Sequence, residues 1–461
     1  MGASDVIARR KTGSAPRCEA PVVPGRWPLL GHTPAMLRRR LDFSAGLSAV
    51  GDVVRIYLGK RVVYVVTTPQ LACEVLAAET CGVGKGLPVG KFRKFFGNRP
   101  PVAGGDCRHG ERKAVQAAFH PDRVVQYCTA VTKGAAELVD SWRPGQVLEI
   151  DRVMRDFAIA TVDRMLLATD SDPEVDGEIR RWTPELIRHG VARVLPLPRA
   201  RKLVRPVDRR FDEAVGRVHA AVDRAIASAR ADPVERQDPL RSLLSARDST
   251  GRVLSDRQVR DEVVTLLVAG SGTTGPALAW LFHELARHPE VQRRVQTEAD
   301  EVLRGRPATI GDLPRLRYLR RVVNEVLRRY PLWFVVRRTA EDLVLAGVRV
   351  PAGAEVAFSP HALHHDERFH RDPWRFDPDR WSPERAGALP RGAYLPFAGG
   401  AHRCPGHAYA TAGIAIVAAT TAARWRLVPV PGKSVRTKVV GTIHPGRMPM
   451  AALPRPRTTT L

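Results

Sequence analysis

The chain has 461 residues, 44% of them hydrophobic, and a formal net charge of +25 from 73 Lys plus Arg against 48 Asp plus Glu. Only 10 of those cations are lysine, the arginines are scattered, and the longest basic run is Arg38-Arg39-Arg40. With no recognition motif beside it, this charge argues against a nucleic-acid tract and points to a basic face for an acidic protein partner. Six cysteines at 18, 73, 81, 107, 128 and 404 include no CxxC pair, which excludes a disulfide framework and a zinc site.

Residues 1–20 are polar and basic, with no apolar core of a signal peptide, and read as a disordered lead to one domain spanning 21–461. Pro21 to Gly31 is a Pro/Gly-rich strap that cannot be helical. Val53 to Leu58 and Arg61 to Val66 are β-rich runs around Gly59-Lys60, the pattern of a hairpin. Helical periodicity then dominates to about residue 330. Ser255-Asp-Arg-Gln258 is a capping-box start, and apolar residues at 259, 263, 266, 267, 278, 281, 282 and 285 predict one helix running to His288. Its middle, Ala269-Gly-Ser-Gly-Thr-Thr-Gly-Pro276, is poor in helix formers, and Pro276 predicts a kink. A second β-region is expected over 335–358, then a long irregular tract from Asp366 to Pro396 rich in Pro, Trp and Arg. Ala408 to Ala423 is the nearest approach to a bilayer span, but it is bounded by His407 and reads as a packed core helix. No internal repeat or flexible linker appears. The expectation is a cytoplasmic, mainly α single domain with small β-sheets and no membrane anchor.

The segment with most chemistry is Phe397-Ala-Gly-Gly-Ala-His-Arg-Cys404-Pro-Gly406, immediately before an apolar helix. Its glycines permit close backbone approach to a flat ligand, and a helix N-terminus beside Cys404 favours the thiolate. Glu325-Val-Leu-Arg328 sets an acid and a guanidinium on one helical face. Two other patterns carry less. His283-Glu284 lacks a zinc-protease partner because 287 is Arg; His361, His364, His365 and His370 cluster on a loop where metal binding is open, but hydrogen bonding and packing is the expected role.

Phe397, Gly400, His402, Cys404 and Gly406 fall at the offsets of the haem loop of the cytochrome P450 family. The chain therefore resembles that family from the strap to the last helix, and in particular soluble bacterial members that oxidise cyclic terpenes. The resemblance implies haem b bound with Cys404 as the metal's axial ligand. It implies propionate contacts from His402, Arg337 (with Arg338 the fallback) and Arg112 with Arg108, and a structural triad of Glu325, Arg328 and Arg380. Thr273 takes the oxygen-groove threonine position, with its hydroxyl able to bond the carbonyl four residues earlier. Gly272 stands where the family has an acid. The implied pocket residues are Phe92, Phe95, Phe96, Leu195, Leu197, Leu266, Leu267, Ala269, Trp333, Phe334, Val335 and Ile443, an apolar set for a lipophilic small molecule. No GxGxxG loop is present, so electrons for O2 would come from an acidic ferredoxin and its reductase. The implied activity is monooxygenation of a terpenoid or other secondary metabolite. Gly272 leaves open a peroxide-using or oxidatively cyclising enzyme, and the basic charge a non-enzymatic haem- or nucleic-acid-binding protein.

Overall fold

The computed structural model describes residues 19–78, 83–85, 115–116, 118–167, 172–192, 205–232, 238–248, 250–400 and 403–455. The hairpin forms as expected: β1 (Val53–Leu58) pairs antiparallel with β2 (Arg61–Val66) in a register running from Val53↔Val66 to Leu58↔Arg61. Gly59 turns it at φ 64°. The strap adds on to β1, where the Arg55 amide donates to the Pro21 carbonyl at 2.8 Å. Residues 19 and 20, ahead of the strap, are held against β1. The Arg55 guanidinium holds the Ala20 carbonyl at 2.8 Å and the Glu19 carboxylate at 2.9 Å, two residues that sequence reading leaves in the lead. Residues 1–18 lie outside the described residues.

The other described strands are β3 (Val83–Lys85), β4 (Val147–Glu149), β5 (Val335–Thr339), β6 (Leu343–Leu345), β7 (Val348–Val350), β8 (Glu355–Phe358), β9 (Trp425–Pro429), β10 (Thr437–Val440), β11 (Thr442–Pro445) and β12 (Pro449–Pro454). They make a five-stranded sheet in the order β1-β2-β8-β5-β3, the hairpins β6-β7 and β10-β11, and a small β4-β12-β9 sheet.

Eight long helices supply the bulk of the described fold: α1 (Pro121–Asp140), α2 (Ile150–Leu167), α3 (Pro173–Ala192), α4 (Arg205–Ala231), α5 (Asp256–Arg287), α6 (Pro289–Leu303), α7 (Arg317–Arg329) and α8 (His407–Arg424). Their apolar faces close on one large core, which α8 crosses buried along most of its length. The long α5 starts as its sequence predicts, the Ser255 amide donating to Gln258 Oε1 at 2.7 Å. It runs unbroken through Pro276 for 32 residues, roughly 48 Å at 1.5 Å per residue. By length and composition this helix, not 408–423, is apolar enough to cross a bilayer. Its apolar window is half buried in the fold, where it packs along α2.

That packing explains two of the glycines in the helix-poor middle. A Cβ at Gly275 would lie 2.8 Å from the Arg155 Cα and 3.0 Å from the Met154 carbonyl; one at Gly270 would lie 3.0 Å from a Val162 methyl. The glycines let α5 approach the backbone of α2, and helix-interior Gly costs only about 0.5–1 kcal/mol against Ala.

Candidate active site

Between α5, the segment before β5, and residues 396–398 and 404–406 lies a cavity of about 510 Å³. Cys404 and Thr273 both line it. Cys404 sits in a loop tied by its own amide to the Phe397 carbonyl at 3.1 Å, and its carbonyl accepts from the His407 ring at 3.0 Å. Gly400, at φ 66°, is obligatory there, since a Cβ would stand 2.4 Å from the Leu76 carbonyl oxygen. Gly406 caps α8, whose first residue, His407, follows Cys404 by three positions.

The loop is held from behind. Glu325 and Arg328 are fully buried on α7 and paired twice, Nε to Oε2 and Nη2 to Oε1, each at 2.9 Å. Arg380 joins through Nε at 3.5 Å from Glu325 Oε2. The same carboxylate accepts from the Asp377 amide at 3.1 Å and the Trp381 indole at 3.0 Å. Arg328 then ties down the irregular tract through the carbonyls of His364 and Pro373, both at 2.7 Å. From there His364 accepts from the Leu395 amide at 2.8 Å, one residue before the cavity-lining loop. His365 bonds the His361 carbonyl and His370 the Ala393 carbonyl, each at 2.9 Å. Burial depresses all four imidazoles, those of His361 and His370 to about 4. Neutral rings can accept as well as donate, so this cluster braces the loop.

Two arginines adjacent in sequence separate in space. Arg337 is buried and lines the cavity; Arg338 is exposed and bonds the Gly353 carbonyl at 3.0 Å. Arg108, Arg112 and His402 lie outside the described residues.

On α5 the Thr273 hydroxyl donates to the Ala269 carbonyl at 2.9 Å, the expected back-bond. Pro276 offers no amide to the Gly272 carbonyl. A side chain at 272 would start out near α3, with Ile187 Cδ1 at 3.9 Å as its nearest contact, and Gly272 does not line the cavity.

Leu266, Ala269, Phe334, Val335 and Ile443 line the cavity as expected. Two expected residues do not. Leu267 turns into the core with 1% exposure, one helical step from Leu266. The Trp333 indole reaches away to donate to Ser44 Oγ at 3.2 Å. Phe92, Phe95, Phe96, Leu195 and Leu197 lie outside the described residues. Val162 and Met165 of α2 also line the cavity and fall outside the expected set; only the packing of α2 on α5 could have revealed them.

Comparison with known proteins agrees with this geometry. The cytochrome P450 family profile matches residues 21–448. Cyclooctat-9-en-7-ol 5-monooxygenase of Streptomyces melanosporofaciens is 41% identical over 94% of this chain and 95% of its own. Pentalenene oxygenase of Streptomyces avermitilis is 34% identical over 93% and 96%. The solved structure of retinoic acid-bound cyanobacterial CYP120A1 superposes with a TM-score of 0.85 at 22% identity, covering 95% of this chain and all of that one.

Proposed function

The chain belongs to the cytochrome P450 family of haem-thiolate monooxygenases, and from that premise we propose that it oxidises a cyclic terpenoid, with Cys404 supplying the thiolate. The observation that carries this reading is that Cys404, Thr273 and the buried Arg337 line one cavity from three separate elements. A soft thiol, a largely apolar wall and a guanidinium fit a flat, apolar group with anionic edges, which is the chemistry of haem b. When bound, haem supplies the reductive activation of O2 and the insertion of one oxygen atom into a C–H bond.

The protein's own part is positioning, charge and proton control. Cys404, just before the N-terminus of α8, where a thiolate is favoured, would hold the metal. Arg337, with His402 and Arg112, or Arg108, fixes the propionates, while Phe397, Gly400 and Gly406 shape the loop around the thiolate. Thr273 holds a proton at Oγ1 on the cavity wall. The Gly272 carbonyl, without an amide from Pro276, is an acceptor for the water that replenishes that proton in place of the missing acid. Electrons come from an acidic ferredoxin and its reductase, drawn by the net charge of +25.

The terpenoid assignment draws on the apolar lining and on relatives whose names specify cyclooctat-9-en-7-ol and pentalenene, matched over more than nine-tenths of each chain. Cys404→Ser tests the ligand: the fold should persist while the red-shifted Soret band of thiolate-bound ferrous–CO haem disappears, and its survival would reject Cys404. Spectral titration with cyclic terpenes and with fatty acids tests the substrate. Tighter binding of the fatty acids would reject the terpenoid class.

A further inference from the structure

Among the described residues, Tyr330 and Tyr409 both line the cavity that holds Cys404, and they differ in what their hydroxyls meet. The Tyr409 hydroxyl donates to the Thr161 carbonyl at 3.3 Å, and a carbonyl does not take up a proton. The Tyr330 hydroxyl donates to Oε1 of Glu284. Glu284 is 2% exposed, and Arg329 Nε lies 3.2 Å from the same oxygen. The other oxygen, Oε2, makes no hydrogen bond among the described residues, with His288 Nδ1 3.4 Å away. A carboxylate with acceptor sites left over has room for a proton.

Tyr330 is also in contact with a second ring. It stacks on Trp280 of α5, ring centres 4.1 Å apart and planes within 2°. Both rings are anchored, the Trp280 indole donating to the Ile443 carbonyl at 2.8 Å and the phenol to Glu284. Parallel rings this close overlap their π systems, so an electron missing from one is shared with the other. Burial pushes the Tyr330 phenol far above its usual range, and the group is neutral at pH 7. A neutral buried phenol gives up an electron readily only if its proton leaves at the same time, because the ring would otherwise carry a charge without solvent. That requires a base in hydrogen-bond contact, which Tyr330 has and Tyr409 lacks.

We propose that Tyr330, with Glu284 as its proton acceptor and Trp280 as its stacked partner, is a one-electron donor that discharges the oxidant formed from O2 or a peroxide in this cavity when no substrate takes the oxygen. The proposal rests on the monooxygenase class and is independent of the terpenoid reading. In the step, one electron passes from Tyr330 to the oxidant, the phenol O–H bond breaks and an O–H bond forms on Glu284. A neutral tyrosyl radical and a protonated acid result, so no positive charge is left on the buried ring. One electron from the donor that monooxygenation requires, together with the proton held on Glu284, then restores the phenol. The step spares Cys404, whose sulfur the same oxidant would otherwise carry to the sulfenic and sulfinic acids.

The test mixes the haem-loaded ferric enzyme, free of substrate, with peracetic acid and freezes it within milliseconds. Electron paramagnetic resonance should show an organic radical whose lines narrow when the protein is made with ring-deuterated tyrosine. Tyr330→Phe, which removes one hydroxyl and keeps the stacked ring, should lose the signal, and Tyr409→Phe should keep it. Glu284→Gln, whose amide oxygen accepts the hydrogen bond but not the proton, should lose it too. In Tyr330→Phe the haem absorbance should bleach faster under peracetic acid, and mass spectrometry should find more oxidised Cys404. No radical in the wild type, lines that ignore the deuterium, a full signal in Tyr330→Phe or Glu284→Gln, or its loss in Tyr409→Phe would overturn the proposal. With no substrate in the experiment, every such outcome leaves the terpenoid class standing.

Discussion

Removing the charge of Glu325 is the sharpest test of how the thiol loop is held. Glu325→Gln keeps the side-chain shape but leaves Arg328 and Arg380 as buried cations without a counter-charge. Breaking a buried pair in this way costs about 3–5 kcal/mol. The substitution also turns an NH2 group toward donors, because both carboxylate oxygens are occupied: Oε1 by Arg328 Nη2 and the Asp377 amide, Oε2 by Arg328 Nε and the Trp381 indole. A buried donor facing a donor adds about 1–3 kcal/mol. The expected total of ~4–8 kcal/mol is a large part of a typical stability. Over 461 residues the unfolding entropy is roughly 1 kcal/mol per degree, so the midpoint should fall by about 4–8 °C. Thermal unfolding followed by circular dichroism measures this, with exposed Glu341→Gln as a control expected to change little. In the same samples haem retention should fall, because Arg328 and His364 connect the pair to Leu395 and the loop. A Glu325→Gln midpoint indistinguishable from the control would refute the reasoning.

The buried imidazoles give the stability a defined pH dependence. Unfolded histidines take up protons near 6.5, whereas folded His361, His370 and His444 do so only near 4. Between these values the unfolded state binds more protons, so stability is greatest above pH 6.5 and falls toward pH 4, by about 3 kcal/mol for each of the three. Buried Asp163, raised to about 8, works in the opposite direction over pH 4–8 and offsets about one of them. Urea midpoints measured from pH 7 to pH 4.5 should therefore drop steeply; a flat profile would mean that the rings are not held neutral. The glycines of the fold should respond in opposite senses. Gly275→Ala forces a methyl onto the α2 backbone and should cost ~1–3 kcal/mol. Gly216→Ala, exposed in α4 with nothing within 4 Å of the new methyl, should gain about 0.5–1 kcal/mol. Equilibrium unfolding of the two variants checks both signs.

What the sequence determines by itself is local. The hairpin at 53–66, the start of α5 at Ser255, the pairing of Glu325 with Arg328 and the Thr273 back-bond each depend on residues within a few positions of one another, whose geometry is set by a turn, a cap or a helical repeat. The haem-loop pattern around Cys404 is likewise contiguous, and the family is legible from it. Partners brought together from distant segments are not. Whether Arg337 or Arg338 enters the cavity follows from the pairing of β5 between β8 and β3, because alternate side chains of a strand go to opposite faces and only the sheet says which face is which. Leu266 and Leu267 divide between cavity and core by one helical step, which depends on the rotation of α5 against α2. Gly270 and Gly275 look like the same helix-weakening feature as Gly272 until α2 lies against two of them and not the third. Thr442 and Ile443 border the cavity on a strand that Trp280 and Trp333, over a hundred residues away in the chain, hold through the Ile443 and Gly441 carbonyls. The sequence could establish the chemistry of the thiol loop; the orientation of each wall came from long-range packing, which no local pattern encodes.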